Sequence, residues 1–294
     1  GIFRGLQNTF YPMLIAIVGA LLNVVLDFLF VYGVDGLLEP MYLEGAAWAS
    51  LIAQGVMAIM AFTLLITKTS ISLKLKFPLH PELGRLVVMS LNLFVRAIAL
   101  NTALILAVRE ATALGDNYIG AHTIAINLWL FSAFFIDGYS AAGNIMGGRL
   151  LGSKDYNGLY ILSKKILRYG LVVSLFLMLL GFVFYKPIGT IFSNDEPVLS
   201  TFYSIFFIVI LGQPFNTIAF IYDGLFKGLG EMKYLRNTLL VATFLGFIPA
   251  LFIAKYFDLK LYGIWIAFTV WMFIRGGALV IEFKRKYLPL RNMA

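Results

Sequence analysis

Runs of apolar residues alternate with short polar connections along the whole chain. Eight runs can be traced, at about 12–34, 45–67, 86–108, 119–146, 166–185, 198–222, 238–254 and 261–281. Each is near the ~20 residues that a helix needs to cross a bilayer. Helix follows from the solvent, because lipid offers no partner for an open strand edge. The ~10-residue alternating segments of a membrane barrel are not seen. The pattern predicts an all-α, polytopic transmembrane bundle with eight spans. Gln213-Pro214, in the middle of the sixth run, should break its helix and free carbonyls, and Pro249 interrupts the short seventh run. The longest polar connection, TKTSISLKLKFPLHPELGR (67–85), is the expected hinge between two bundles, 1–66 and 86–294.

Composition points the same way. Of 294 residues, 61% are hydrophobic and only 13% are charged, with a mean hydropathy of +0.88. A soluble domain carries roughly 25% charged residues. The absence of cysteine excludes disulfides, thiolate metal sites and a thiol nucleophile. A net charge of +8 raises the question of nucleic acid, but the bases lie in clusters between the apolar runs. One set of connections holds 17 of them: Arg4; Lys68, Lys74, Lys76 and Arg85; Arg149, Lys154, Lys164, Lys165 and Arg168; Lys227, Lys233 and Arg236; Lys284, Arg285, Lys286 and Arg291. The opposite set holds 4: Arg109, Lys186, Lys255 and Lys260. Positive connections stay in the cytoplasm, so both chain ends are expected there.

The chain also repeats itself. It opens GIFRGLQNTFYP, and 223 residues later, at Gly224, it reads GLFKGLGEMKYL. Both copies lead into two spans separated by an external loop, with Asp35 in the first and Asp258 in the second, and then a Gly-and-Trp helix start. The copies begin on the same side, so the repeat is parallel, a common transporter construction. Two such units would occupy about 446 residues with six spans each. On that reading four further spans are expected to precede Gly1.

Charged and polar side chains inside apolar spans usually mark an ion or substrate path. Asn23 and Asp27 share one face of the first span, ~6 Å apart along its axis, with Gly19 a turn back. An amide oxygen and a carboxylate suit Na+, and the carboxylate could carry a proton instead. The alternative is that Asp27 caps the helix near the external interface while Asn23 bridges helices. Arg96 lies ~15 Å into the third span, and Asp137 has a comparable depth on the fourth, so these two are the expected pair. They read equally well as a gate or cavity element and as a buried structural ion pair. Asp223 and Arg275 form a second expected pair, in the cytoplasmic half of the sixth and eighth spans, where structural snorkelling is the simpler reading. The 27 phenylalanines and 10 methionines could line an apolar drug cavity, although packing and lipid contact account for most of them. His80 and His122 have no partners spaced for a metal, and neither a P-loop nor a Ser-His-Asp arrangement is found. Nothing suggests an enzyme.

FRGLQNTFYP, LLNVVLDFLFVYG and EGAAWASLIAQ, followed by NLFVRAIALN, REATALGDNYIGAH, FFIDGYSAAGNIMGGRLLGSKD and YDGLFKGLGEMKYLRN, resemble in order the multidrug and toxic compound extrusion (MATE) family, and favour its DinF-like branch. The resemblance implies twelve helices in two six-helix lobes. Residues 1–66 would be the last two helices of the first lobe, 67–85 the inter-lobe connection, and 86–294 the second lobe. It implies export of amphiphilic or cationic compounds, with Na+ or H+ as the coupling ion and no other cofactor. It also places the first lobe's cation site on the Asn23/Asp27 pattern, and Ser50 matches a hydroxyl of the next helix. The expected setting is a bacterial-type plasma membrane, with a monomeric transporter, the lipid bilayer and a small amphiphile as partners and no nucleic acid. A lipid-linked oligosaccharide flippase is the alternative; it would favour several cavity arginines to hold a pyrophosphate, and only Arg96 and Arg275 lie within spans.

Overall fold

The computed structural model describes residues 2–6, 8–33, 38–69 and 81–293. It is helical, with no strand among the described residues. The helices are α1 (Ile2–Gly5), α2 (Phe10–Tyr32), α3 (Tyr42–Lys68), α4 (Leu83–Leu114), α5 (Asp116–Gly152), α6 (Tyr156–Phe192), α7 (Glu196–Leu211), α8 (Gln213–Gly228), α9 (Met232–Val241), α10 (Ile248–Tyr256) and α11 (Lys260–Met293). Seven of the helical rods are long and apolar enough to cross a membrane, and α7 with α8 makes an eighth span bent by 50°. All eight expected spans are therefore present. The bend falls at Gln213-Pro214, where Pro214 supplies no N–H for the Ile210 carbonyl. In the seventh span, α9 passes through one π-helical stretch (Ala242–Phe247) into α10 just before Pro249.

The chain divides into two compact units, Gly1–His80 and Pro81–Ala294. In unit 1, α2 and α3 form an antiparallel pair. Gly45, Ala49 and Ala53 make a small-residue stripe on α3 and are its buried positions. A Cβ on Gly45 would stand 2.6 Å from the Phe30 carbonyl, so the two backbones are in direct contact there. The outer faces, with Leu21, Phe28 and Ile59 among others, are exposed, as suits lipid.

Unit 2 packs on alanine and aromatic side chains. α4 contributes Ala99, Ala103, Ala107 and Ala111, none more than 1% exposed, and α11 contributes Trp265, Phe268 and Trp271. Trp271 Nε1 donates to Thr243 Oγ1 at 3.0 Å, and Thr243 Oγ1 donates to the Ala99 carbonyl at 3.4 Å, so α11, the π-helical stretch and α4 are tied by one polar chain. The closest crossing is that of α5 and α8. A side chain on Gly224 would strike Ser140, one on Gly228 would strike Asn144, and one on Gly148 would meet the Gly228 carbonyl at 2.9 Å. Small residues four apart are how membrane helices gain van der Waals contact where no hydrophobic force separates helix from lipid.

The 223-residue repeat has a local structural counterpart. The Phe3 and Tyr11 rings lie 5.4 Å apart, and their equivalents Phe226 and Tyr234 lie 5.6 Å apart. Asn8 N donates to the Phe3 carbonyl at 2.9 Å, and Glu231 N to the Phe226 carbonyl at 3.1 Å. Each copy thus turns its chain in the same way into the next long helix.

Gly228→Leu should overpack the α5/α8 crossing and lower stability by about 1–3 kcal/mol, read as a lower unfolding temperature in detergent. Gly277→Ala, where nothing lies within 4 Å of the added carbon, should leave it unchanged.

Candidate functional site

α8 restarts after the bend and carries its polar residues inward: Gln213, Asn216, Thr217 and Asp223 are all buried. Asp223 is the centre of an ionic cluster. Arg96 of α4 donates from Nη2 to its Oδ1 at 2.6 Å. Lys227, one turn further along α8, reaches Oδ2 at 2.8 Å, and Arg275 of α11 stands 3.6 Å from Oδ1. One buried carboxylate therefore faces three cations. Such a charge is tolerated in a low-dielectric setting only when it is paired and hydrogen-bonded.

The three cations differ in environment. The Arg275 side chain is 3% exposed, that of Arg96 13% and that of Lys227 35%, so only Lys227 has an easy route to solvent. Arg275 compensates with ring faces: its guanidinium lies 5.0 Å from the Trp271 ring centroid and 5.8 Å from that of Phe220, and its Nη1 contacts the Met272 sulfur at 3.2 Å. A delocalised guanidinium suits such stacking better than an ammonium does. Arg96 Nε is buried without a hydrogen-bond partner.

This arrangement corrects the expected pairing. Arg96 binds Asp223, not Asp137, and the expected Asp223–Arg275 pair is present only as the longest of three contacts. Asp137 is exposed and makes no ion pair among the described residues. Depth along the helices had suggested the Arg96–Asp137 pair, but azimuth decides it. The buried face of α5 runs through Ile136, Ser140, Gly143 and Gly147, and Asp137 lies ~100° round from Ile136. Lys227 was not singled out from the sequence, although its position four residues after Asp223 signals an ion pair on one helix face.

The second group of expected residues lies in unit 1. Asn23 Nδ2 donates to Ser50 Oγ at 3.5 Å, linking α2 to α3. Asp27 is half-buried one turn along the same face of α2. Asn23 and Ser50 are thus brought together, and Asp27 stands beside them with no ion pair among the described residues.

Unit 2 also contains an apolar cleft of about 830 Å³ between α5, α6 and α7, walled by Phe131, Phe134, Phe184 and Phe192 and touched by the polar groups of Asn127 and Gln213. α6 departs from helical geometry at Phe184, three residues before Pro187, where it borders this cleft. His122 is a core residue, 1% exposed beside Trp265 and Phe268. No group of three metal-ligating side chains occurs among the described residues, and His80 and Asp35 lie outside them.

A family model described as MatE matches residues 93–252. Protein DETOXIFICATION 43 of Arabidopsis thaliana is 29% identical over 281 residues, covering 94% of this chain and 51% of that protein. The DNA damage-inducible protein F of Escherichia coli (strain K12) is 24% identical over 295 residues, covering 98% of this chain and 62% of that one. A crystal structure of MATE in the straight conformation superposes with a TM-score of 0.87 at 18% identity, over 99% of this chain and 65% of that one. The chain spans about half the length of the first of these relatives and less than two thirds of the others.

Asp223→Leu should strand Arg96 and Arg275 and cost about 3–5 kcal/mol, measured by unfolding temperature or by the yield of folded protein. Asp137→Asn should stay within about 0.5 kcal/mol.

Proposed function

The chain belongs to the MatE family, and on that premise we propose that it works in secondary active antiport, exporting amphiphilic or cationic compounds in exchange for inward Na+ or H+. The carrying observation is the polar face of α2, where Asn23 bonds Ser50 of α3 and Asp27 sits one turn away inside an apolar span. A carboxylate kept at that depth costs ~2.5–3.5 kcal/mol on insertion scales, which favours a working role over a decorative one. Asp27 supplies the charge that neutralises Na+ or takes up a proton, Asn23 a neutral oxygen, and Ser50 a hydroxyl that orients the amide. The relative named for detoxification fits this reading.

The Asp223 cluster plays a different part. It fastens α4, α8 and α11 below the 50° bend of the sixth span. The bend separates the α7 portion, which packs into the apolar core through Phe202, Ile205 and Phe206, from the α8 portion that the ion pairs hold. In this reading Arg96, Asp223 and Arg275 are a latch of the second lobe, and Asp137, exposed on α5, is left for cavity or gating contacts. The same cluster weakens the flippase alternative: both intramembrane arginines already turn to Asp223, so neither is free for a pyrophosphate. The proposed setting is a bacterial-type plasma membrane with both chain ends cytoplasmic, following the 17-to-4 division of bases, and a monomeric transporter.

In cells expressing the transporter, Asp27→Asn should abolish export at normal protein level, because an amide keeps the size but cannot carry the charge or the proton. Asn23→Ala should weaken coupling less, since the carboxylate remains. Full drug resistance with unaltered Na+ and pH dependence in Asp27→Asn would overturn the assignment.

A further inference from the structure

At the end of unit 2 that holds the 153–155 and 229–231 connections, bases from two helices meet on one aromatic ring. Lys164, one turn along α6, places Nζ 4.6 Å from the centroid of the Tyr160 ring. Arg291, in the last turn of α11, places its guanidinium 4.5 Å from the same centroid. Arg291 is held there by Nε donating to Asn157 Oδ1 at 3.1 Å. Lys284, two turns before Arg291, is within electrostatic reach of the same ring. Lys165 and Arg168 are also exposed on α6.

The acids at this end are already engaged. Glu231 pairs with Lys286, Glu282 with Arg285 at 2.7 Å, and Asp155 caps α6 by accepting from Gly158 N at 2.7 Å. Among the described residues Lys164, Lys284 and Arg291 have no ion-pair partner. Positive connections on one side of a membrane are ordinary. Cations from two separate helices brought within 5 Å of one ring are not, because like charges repel and a ring face offsets only part of that cost. The cluster therefore presents net positive charge for an anion to meet.

Its place in the fold says which anion. Tyr160 lies in the first turns of α6, and an aromatic ring among bases at the end of an apolar span is the pattern of a membrane interface. Beyond the bases, toward the middle of the spans, Val172 of α6 and Ile281 of α11 are exposed and apolar. A phosphate at the bases with acyl chains along those residues fits both regions at once, and basic recesses between spans are where anionic headgroups bind. We propose that Tyr160, Lys164 and Arg291 form the headgroup site of an anionic phospholipid, lying between α6 and α11.

The test is native mass spectrometry of the purified full chain with phosphatidylglycerol and, separately, phosphatidylcholine. The unaltered protein should retain phosphatidylglycerol preferentially, and added salt should erode the preference. Lys164→Gln and Arg291→Gln should each lower the affinity roughly fivefold, and the double variant by their product. Lys186→Gln with Lys260→Gln, which removes the same charge at the other end of the spans, should change nothing. Equal retention of both lipids, an unaltered preference in the double variant, or an equal loss in the control pair would each overturn the proposal. Displacement of the lipid by inorganic phosphate alone would also overturn it, because the site would then take a small anion. If the double variant does not fold, the single variants and the salt dependence of the unaltered protein decide.

Discussion

How closely two helix backbones can approach is the constraint on which unit 2 depends. Lipid tails are as apolar as leucine, so burying side chains does little to press membrane helices together. Contact must come from shape. Gly147 and Gly148 on α5 and Gly224 and Gly228 on α8 remove side chains where these helices cross. The same crossing sets the azimuth of α8. Asp223 immediately precedes Gly224, so a helix that buries the glycine places the carboxylate beside its partners. The ionic cluster is therefore positioned by the crossing, and not the crossing by the cluster. That order of cause explains why a buried ion pair, which need not stabilise a fold by itself, can be maintained at this point.

The phrase that opens the chain and returns at Gly224 gains a physical meaning here. In the second copy its glycines are the contact points of α8, its phenylalanine lies against the Tyr234 ring, and its base, Lys227, closes on Asp223. The first copy keeps the aromatic pair and the backbone turn. A repeat that preserves such a turn preserves how a span enters and leaves the membrane. It does not oblige the two copies to do the same chemistry.

Spans, the mid-span break at Gln213-Pro214 and the repeat were all legible in the sequence, because each rests on chain-local physics: apolar length, a missing N–H, and self-similarity. The contacts between spans were legible only in part. Asn23 and Ser50 meet, since α2 and α3 are joined by a short loop and have little freedom of register. Arg96 was matched to Asp137 on depth alone. A helical side chain points in a direction that rotates by ~100° per residue, and nothing local to residues 92–101 or 134–140 reveals which way each helix is turned. The glycine pattern on α5 did contain that information. Ser140, Gly143 and Gly147 define its packed face, and Asp137 is off it.

Comparing the two copies position by position separates framework from chemistry. Adding 223 to Asn23 and Asp27 leads to Gly246 and Ala250, at the π-helical stretch and the start of α10. Where unit 1 has an amide and a carboxylate, unit 2 has a glycine against Ile274 and an alanine. Both regions pack a span closely on its neighbour: Gly45 lies against the Phe30 backbone and, outside the 223-residue register, Gly263 lies against Ala254. Only the first copy carries the polar pair. In unit 2 the charge sits on the preceding span, at Asp223, and there three cations hold it. A carboxylate meant to take up and release an ion must be left short of partners; one meant to hold helices together must be surrounded by them. Asp223 meets the second requirement. Asp27, with no ion pair among the described residues, is consistent with the coupling part proposed for it.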